Sequence, residues 1–388
     1  MSGKRDNARR RICFITIGIA LSVAASSAGA SEYINRKPDF PALVPDTGQT
    51  RCYDTRREIP CPRPGEPFYG QDGNYSINAP IYELKKQDGG TILIDRTTGL
   101  DWQRIPDKTR RTWSEAIDYA DDLSLSGFTD WRLPKKQELQ SILSYGTTPS
   151  PLLEPVKRTG RDGQPEQGFC AWTLTTRVFP SMYAKKICLN DNQGAISDKY
   201  EKNYVYAVRG PALSYGKFQN NGDGTVTDLM TGLTWQAIEV RPRNWQQALA
   251  YCRQLDLGGH RDWRLPTIKE LSTLVNEDLI NPAIDVKFFP GARSASYWTS
   301  TTFTGHPGFA WYVRFDNGLG HNGGYKGRLY FVRAVRGGHI AATAPPSSVP
   351  PGPDREAGDS EFKSMSAPER HNREMLEPYP LDPNAPYE

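Results

Sequence analysis

A ten-residue phrase is written twice in this chain, as DWRLPKKQEL at 130–139 and as DWRLPTIKEL at 262–271. The repeat reaches well beyond the phrase. TGLDWQ (98–103) matches TGLTWQ (231–236), TWSEAIDYADDL (112–123) matches NWQQALAYCRQL (244–255), AWTLTT (171–176) answers YWTSTT (297–302), and YVYAVRG (204–210) answers YFVRAVRG (330–337). Solenoid units repeat every ~20–50 residues, so a period this long means two tandem domains of ordinary size. Whatever the fold is, it is one that the chain builds twice.

The local signals agree between copies. DGGT and NGDGT are turns, and the alternating runs after them read as strands ending in the Trp of TGLxW. An amphipathic helix follows, with Trp113, Ala116, Ile117, Ala120 and Leu123 on one face and Trp245, Ala248, Leu249, Cys252 and Leu255 on the other copy's equivalent face. Both helices start with a capping box, Thr112 with Glu115 and Asn244 with Gln247. A second helix begins after the Pro of WRLP; Thr267 and Glu270 cap it in the second copy, whereas Lys135 leaves the first without that cap. AWYVRFDNG and LYFVRAVRGG alternate apolar and polar residues around Gly-rich turns. Two helices ahead of a mainly antiparallel sheet make each copy an α+β domain.

The flanks differ from the repeats. Residues 1–30 hold a basic start, the apolar run ICFITIGIALSVA and the small residues AGA, the pattern of a signal peptide cleaved near Ser31. That run is shorter than the ~20 apolar residues a membrane span needs, and no other stretch is apolar enough. The mature chain is therefore expected to be exported, in the periplasm, on the outer surface or secreted. Residues 31–81, rich in turn formers, read as a disulfide-stapled extension packed on the first domain (82–213); the second domain is 214–340. From 341 to 388 the Pro-rich tail, with 4 basic and 9 acidic residues, lacks the apolar periodicity to fold and reads as disordered. Removing the leader takes the formal charge from +4 to zero, too little for a dedicated nucleic-acid binder. In an oxidising compartment Cys52–Cys61 and Cys170–Cys188 are the pairings closest in sequence, the latter tethering an insertion of the first copy. Cys252, on the buried helix face, is left free.

The repeated phrase is either chemistry used twice or a joint needed twice. Arg132 and Arg264 could clamp an anion beside Trp131 and Trp263. The structural reading makes both Trp core residues, with each Arg held by a carboxylate and backbone carbonyls and Pro starting the next helix. A string that joins two helices asks for orientation rather than proton transfer, which favours the joint. No Gly-x-Ser-x-Gly, His-Glu-x-x-His or Walker pattern is present, and none of the five His has a counterpart in the first copy. No metal or cofactor is expected. NNGDGTVTD (220–228) lacks the acidic alternation and distal Glu of a calcium loop and reads as a hairpin.

Together TGLTWQ, W-x-x-A-x-x-Y-C-x-x-L, DWRLPTIKEL, INPAI (280–284), YWTSTT, AWYVRFDNG and VRAVRGG resemble the Lcl C-terminal domain family, which takes its name from the Legionella collagen-like adhesin. The resemblance covers the second copy almost completely. In the first it covers the front half and the final strand, with a departure between 145 and 203. It implies a C-type-lectin-like fold, related in architecture to formylglycine-generating enzymes, in secreted or surface proteins; the adhesin binds sulfated glycosaminoglycans. The Glu-Pro-Asn and Gln-Pro-Asp triplets of calcium-dependent lectins are absent, as are the paired active-site cysteines of the formylglycine-generating enzymes.

The reading that results is an exported, non-enzymatic binding protein recognising polyanionic or envelope glycans. The alternatives are an envelope protein-interaction or structural module and, third, a carbohydrate- or cell-wall-modifying enzyme. The expected ligand site is the loop between the first Trp and first helix of each copy, PDKTRR (106–111) and VRPR (240–243), with Lys108, Arg110, Arg111, Arg241 and Arg243 as anion contacts.

Overall fold

The computed structural model describes residues 43–148, 150–152 and 169–338. The leader at 1–30, the tail at 341–388 and the stretch 153–168 lie outside them.

Two short strands, β1 (Cys52–Tyr53) and β2 (Glu58–Ile59), form a hairpin in the N-terminal extension. The first copy follows as β3 (Tyr82–Gln87), β4 (Gly90–Asp95), β5 (Leu100–Gln103), α1 (Trp113–Asp121), α2 (Lys136–Ser141), β6 (Cys170–Thr176), β7 (Tyr183–Cys188), β8 (Gln193–Asp198) and β9 (Val208–Arg209). The second repeats that order as β10 (Phe218–Asn220), β11 (Thr225–Asp228), β12 (Leu233–Gln236), α3 (Trp245–Gln254), α4 (Ile268–Thr273), β13 (Ser296–Thr302), β14 (Phe309–Arg314), β15 (Leu319–Tyr325) and β16 (Val335–Gly337). Each copy carries two antiparallel sheets. One has four strands, in the order β3-β4-β5-β9 or β10-β11-β12-β16, and the other three, β6-β7-β8 or β13-β14-β15. The last strand thus returns to pair with the strand that carries the first Trp.

The helix starts are built as their sequences dictate. Thr112 and Asn244 accept from the amides of Glu115 and Gln247, whose side chains accept in return from the capping residue's own amide. At α2 only half of the box is lost: Glu138 still accepts from the Lys135 amide at 2.7 Å. The first helical amides of α2 and α4 are satisfied from across the fold, by Thr175 Oγ1 and Thr301 Oγ1. The 220–228 run is a hairpin turn, in which Asp223 accepts from Thr225 and Asn221 bonds Thr225 and Thr227.

Two expectations need correction. Cys170 and Cys188 sit directly opposite one another on β6 and β7, so their disulfide staples two strands of the repeated sheet and tethers no insertion. The extension, stapled by Cys52–Cys61, packs chiefly on the second copy rather than the first. Gln49 bonds both the amide and the carbonyl of Thr302, Thr301 donates to Asp72, Lys326 donates to the carbonyl of Asp54, and Phe68 packs on Trp245.

The copies meet isologously, equivalent elements touching one another: α2 lies against α4, and β8 against β15. Gln140 donates to its own counterpart, Ser272, at 3.0 Å. Lys136 and Lys185 of the first copy converge on Glu277 of the second, at 2.8 and 2.5 Å. Burial pushes the Glu277 carboxyl up, and the two lysine charges outweigh it and hold the group below the usual carboxylate range. One apolar core runs through both copies, from Trp102, Leu139 and Ile142 to Leu271, Leu274 and Phe315.

Candidate functional site

Each residue of the repeated phrase is engaged inside the fold. Trp131 and Trp263 are buried, and their indole N–H groups donate to the carbonyls of Phe128 and His260. Asp130 and Asp262 each pair with the Arg of the last strand, Arg209 and Arg336, at 2.7 Å. Arg132 grips both oxygens of Glu138 at 2.7 Å, and Arg264 grips both of Glu270 at 2.6 and 2.5 Å. Those glutamates accept from the N-cap amides of α2 and α4, those of Lys135 and Thr267, so each guanidinium locks the start of a helix. The same arginines pair through their backbones with Val208 and Val335. The phrase therefore welds the second helix of each copy to its final strand, with the Trp packed beneath the first helix. Cys252 packs there too as a free thiol, pushed up by burial.

The two basic loops divide their charges between structure and solvent. Arg111 and Arg243 are counterparts: each lies over the Tyr of the following helix, Tyr119 at 3.8 Å and Tyr251 at 4.1 Å. Arg111 is also paired with Asp107, and Arg243 donates to the carbonyl of Arg241. These two are half-buried members of the loop's own packing. Lys108, Arg110 and Arg241 are exposed. Among the described residues Lys108 and Arg241 have no carboxylate partner, while Arg110 stands over the Tyr204 ring at 5.0 Å.

A second feature comes from the join between copies. On one side Asp46, Thr47 and Gln49 lie in a cleft between the second copy and Ser141–Gly146 of the first. Lys269 donates to Asp46 O (3.0 Å), Tyr145 N–H to Thr47 O (2.7 Å), and the Gln49 amide spans Thr302. Gly48 has a φ of 79°, and a Cβ there would stand 2.9 Å from Ser144 Oγ; only Gly fits without strain. The isologous join generates a counterpart on the other side, where Lys135, Leu174, Thr175 and Thr176 of the first copy face Thr273–Asp278 of the second. That cleft encloses about 490 Å³ and is open among the described residues. The contrast in burial is direct: Ser300, Thr301 and Thr302 are fully buried, whereas Leu174 is 38 % exposed and Thr175 and Thr176 are half-buried.

The family model for the Lcl C-terminal domain matches residues 91–209 and 224–336, one match for each copy. The chain belongs to the Lcl C-terminal domain family. A comparison with curated proteins gives no match. The first family match runs through the 145–203 stretch that departs in sequence, because β6, β7 and β8 are the counterparts of β13, β14 and β15. In this Lcl domain pair the sequence pointed to the loops and missed the cleft. One usable signal was present: Leu174, Met182 and Lys135 stand where the second copy has the small or hydroxylic Ser300, Gly308 and Thr267, and at Gly308 the extension's Thr55 carbonyl makes a close approach.

Proposed function

We propose that this pair of Lcl domains is an exported, non-enzymatic binding module of the adhesin kind, that each copy is C-type-lectin-like, and that its ligands are polyanionic or envelope glycans. The observation that carries the reading is the division within the basic loops. Equivalent arginines, Arg111 and Arg243, hold the loops against the helices, and that scaffold presents Lys108 and Arg241 to solvent with no carboxylate partner among the described residues. Arg donates two parallel hydrogen bonds to a sulfate or carboxylate, and two such loops in one compact unit raise avidity for a repeating polyanion. Two disulfides agree with an oxidising compartment, and among the described residues no helix is long and apolar enough to cross a membrane.

The test is retention on heparin or fucoidan over a salt gradient, comparing the wild-type chain with Lys108→Ala/Arg110→Ala and with Arg241→Ala. Earlier elution of both variants is expected, with unchanged thermal melts, because exposed charges are screened beyond ~8 Å at physiological ionic strength. Unchanged elution of both removes the loops from the site. A protein-interaction role has one specific observation in its favour, the open cleft of the first copy.

A further inference from the structure

The two clefts at the join are built from equivalent parts, and one of them displays its occupant. In the filled cleft three groups receive the extension. Tyr145 N–H takes the carbonyl of Thr47, the backbone of Thr302 at the outer edge of β13 takes the Gln49 amide, and Thr301 Oγ1 donates to Asp72 while accepting from the Ile268 amide. The open cleft repeats all three. Glu277 N–H, the counterpart of Tyr145 N–H, makes no hydrogen bond among the described residues. Thr175 Oγ1 accepts from the Lys136 amide as Thr301 does from Ile268, which leaves its hydroxyl proton directed to another acceptor. Thr176 turns its backbone outward, since its neighbour Arg177 makes the ladder bond to Tyr183 O just as Phe303 bonds Phe309 O. β6 is an edge strand of its sheet; Cys170, Trp172 and Leu174 on its outward row already bond Tyr204 and Pro134, so among the described residues Thr176 is where that row is left without a partner.

We infer that the open cleft is a binding site for an extended peptide segment of another protein, carrying an acidic residue next to an aliphatic or aromatic one. The peptide crosses the end of β6 at Thr176 as Asp46–Gln49 meets β13 at Thr302. One of its carbonyls accepts from Glu277 N–H, and its backbone or an amide side chain pairs with Thr176. Its carboxylate accepts from Thr175 Oγ1 and meets Lys135, which stands in place of Thr267 and adds a positive charge. Its apolar side chain covers Leu174, where the filled cleft has Ser300. The hairpin beyond departs in the same direction: Val178, Phe179 and Met182 are exposed where the second copy has Thr304, Gly305 and Gly308. Gly308 admits the carbonyl of Thr55 to within 3.0 Å of where a Cβ would be. The Met182 side chain excludes that approach and offers apolar surface instead. The opposite wall fixes the peptide's polarity. Glu277 is neutralised by Lys136 and Lys185, but Asp278 and Asp285 have no cationic partner among the described residues, so the acidic end lies at β6 and a neutral or basic end at that wall. This site is separate from the basic loops, and it stands or falls independently of the glycan reading.

The probe is a fluorescein-labelled peptide built on residues 43–51 with Pro45→Leu, LVLDTGQTR, so that an acidic residue stands next to an aliphatic one, titrated into the full chain and followed by anisotropy. Saturable binding is expected, weakened at least about tenfold by Leu174→Glu and by Lys135→Glu, and weakened likewise when the peptide carries Gly48→Val. Both protein substitutions fall outside the core, and equal melting temperatures establish that the fold is intact. Absence of saturable binding up to about 1 mM overturns the proposal. So does binding that neither substitution weakens, which would show exchange with the filled cleft. Dimerisation with dilution-dependent mass, abolished by Leu174→Glu, would seat a second copy's residues 43–51 in the cleft and overturn the foreign partner.

Discussion

Arg264→Ala tests whether the repeated phrase is a joint. The guanidinium is 5 % exposed and Glu270 is 7 % exposed, and the two share a pair of parallel hydrogen bonds. Truncating Arg264 leaves a carboxylate in the interior, with Thr267 as its remaining hydrogen-bond partner among the described residues. Removing one partner of a buried pair costs about 3–5 kcal/mol. Arg132→Ala sets the scale, because its guanidinium is 24 % exposed and Glu138 keeps the Lys135 and Leu213 amides. Water and those two donors offset part of the loss, so about 1–3 kcal/mol is expected. Arg264→Met combined with Glu270→Gln should recover most of the deficit, since no charge is then buried and Gln still accepts from the Thr267 amide. Urea unfolding of the full chain, read by tryptophan fluorescence, measures all three. The pH dependence carries a sign. Burial pushes the Glu270 carboxyl up, but Arg264 and the Thr267 hydrogen bonds outweigh it and hold the group below the ordinary range. The stabilisation is therefore present above the unfolded carboxylate pKa and lost as pH falls through the folded one, so the Arg264→Ala deficit should shrink in acid. A deficit for Arg264→Ala under about 1 kcal/mol, or one smaller than that of Arg132→Ala, would refute the joint.

Replacing Cys170 and Cys188 by Ser should cost about 3 kcal/mol by loop entropy, the bridge closing a separation of 18 residues; thermal melts with and without reductant check it. Asp72→Asn should remove a pH slope. Burial raises the Asp72 carboxyl to about 7, against the hydrogen bonds from Thr301 and Thr47. Folding therefore favours its protonated form, and wild-type stability should fall as pH rises from about 4 to 7. The variant should lose that slope, measured as urea midpoints at pH 4.5 and 7. Gly48→Val, at a φ of 79° with Ser144 in the way, should loosen the extension; faster cleavage between residues 43 and 81 in limited proteolysis is the readout, and an unchanged digest would count against the packing described.

Where a pattern is local, the sequence showed it. The capping boxes at Thr112 and Asn244, the apolar face ending in Cys252 and both disulfides rest on residues near one another in the chain. The three-stranded sheet of the first copy was hidden because YAKKIC reads as polar. Lys185 is buried there because Glu277 and the Asn317 carbonyl of the other copy meet its charge, in a position where the second copy has Trp311. Burial lowers that lysine to about 8, and Lys136 adds to the effect while Glu277 opposes it. The docking of the extension was hidden for a related reason. Its contacts are single pairs such as Gln49 with Thr302, 253 residues apart, which leave no periodicity to read.

The asymmetry between the clefts follows from what each edge strand needs. Thr301 and Thr302 are wholly removed from water, a state that polar side chains and an unpaired strand edge tolerate only when partners are supplied. Asp72 and Gln49 supply them, so in the second copy this surface has become part of the fold, and Lys326 is buried with it and lowered to about 7. In the first copy the counterpart of Lys326 is Lys199, half-buried and standing 4.3 Å over the half-buried Trp113. Nothing in that copy requires a cover for its polar groups, because water reaches them. What water does not favour is the apolar surface gathered around the same edge, at Leu174, Val178, Phe179 and Met182. A protein surface rarely keeps such a cluster without a use for it. Two copies of one domain have thus taken complementary roles, the second binding the chain's own segment to complete the structure and the first left with the same socket for something else.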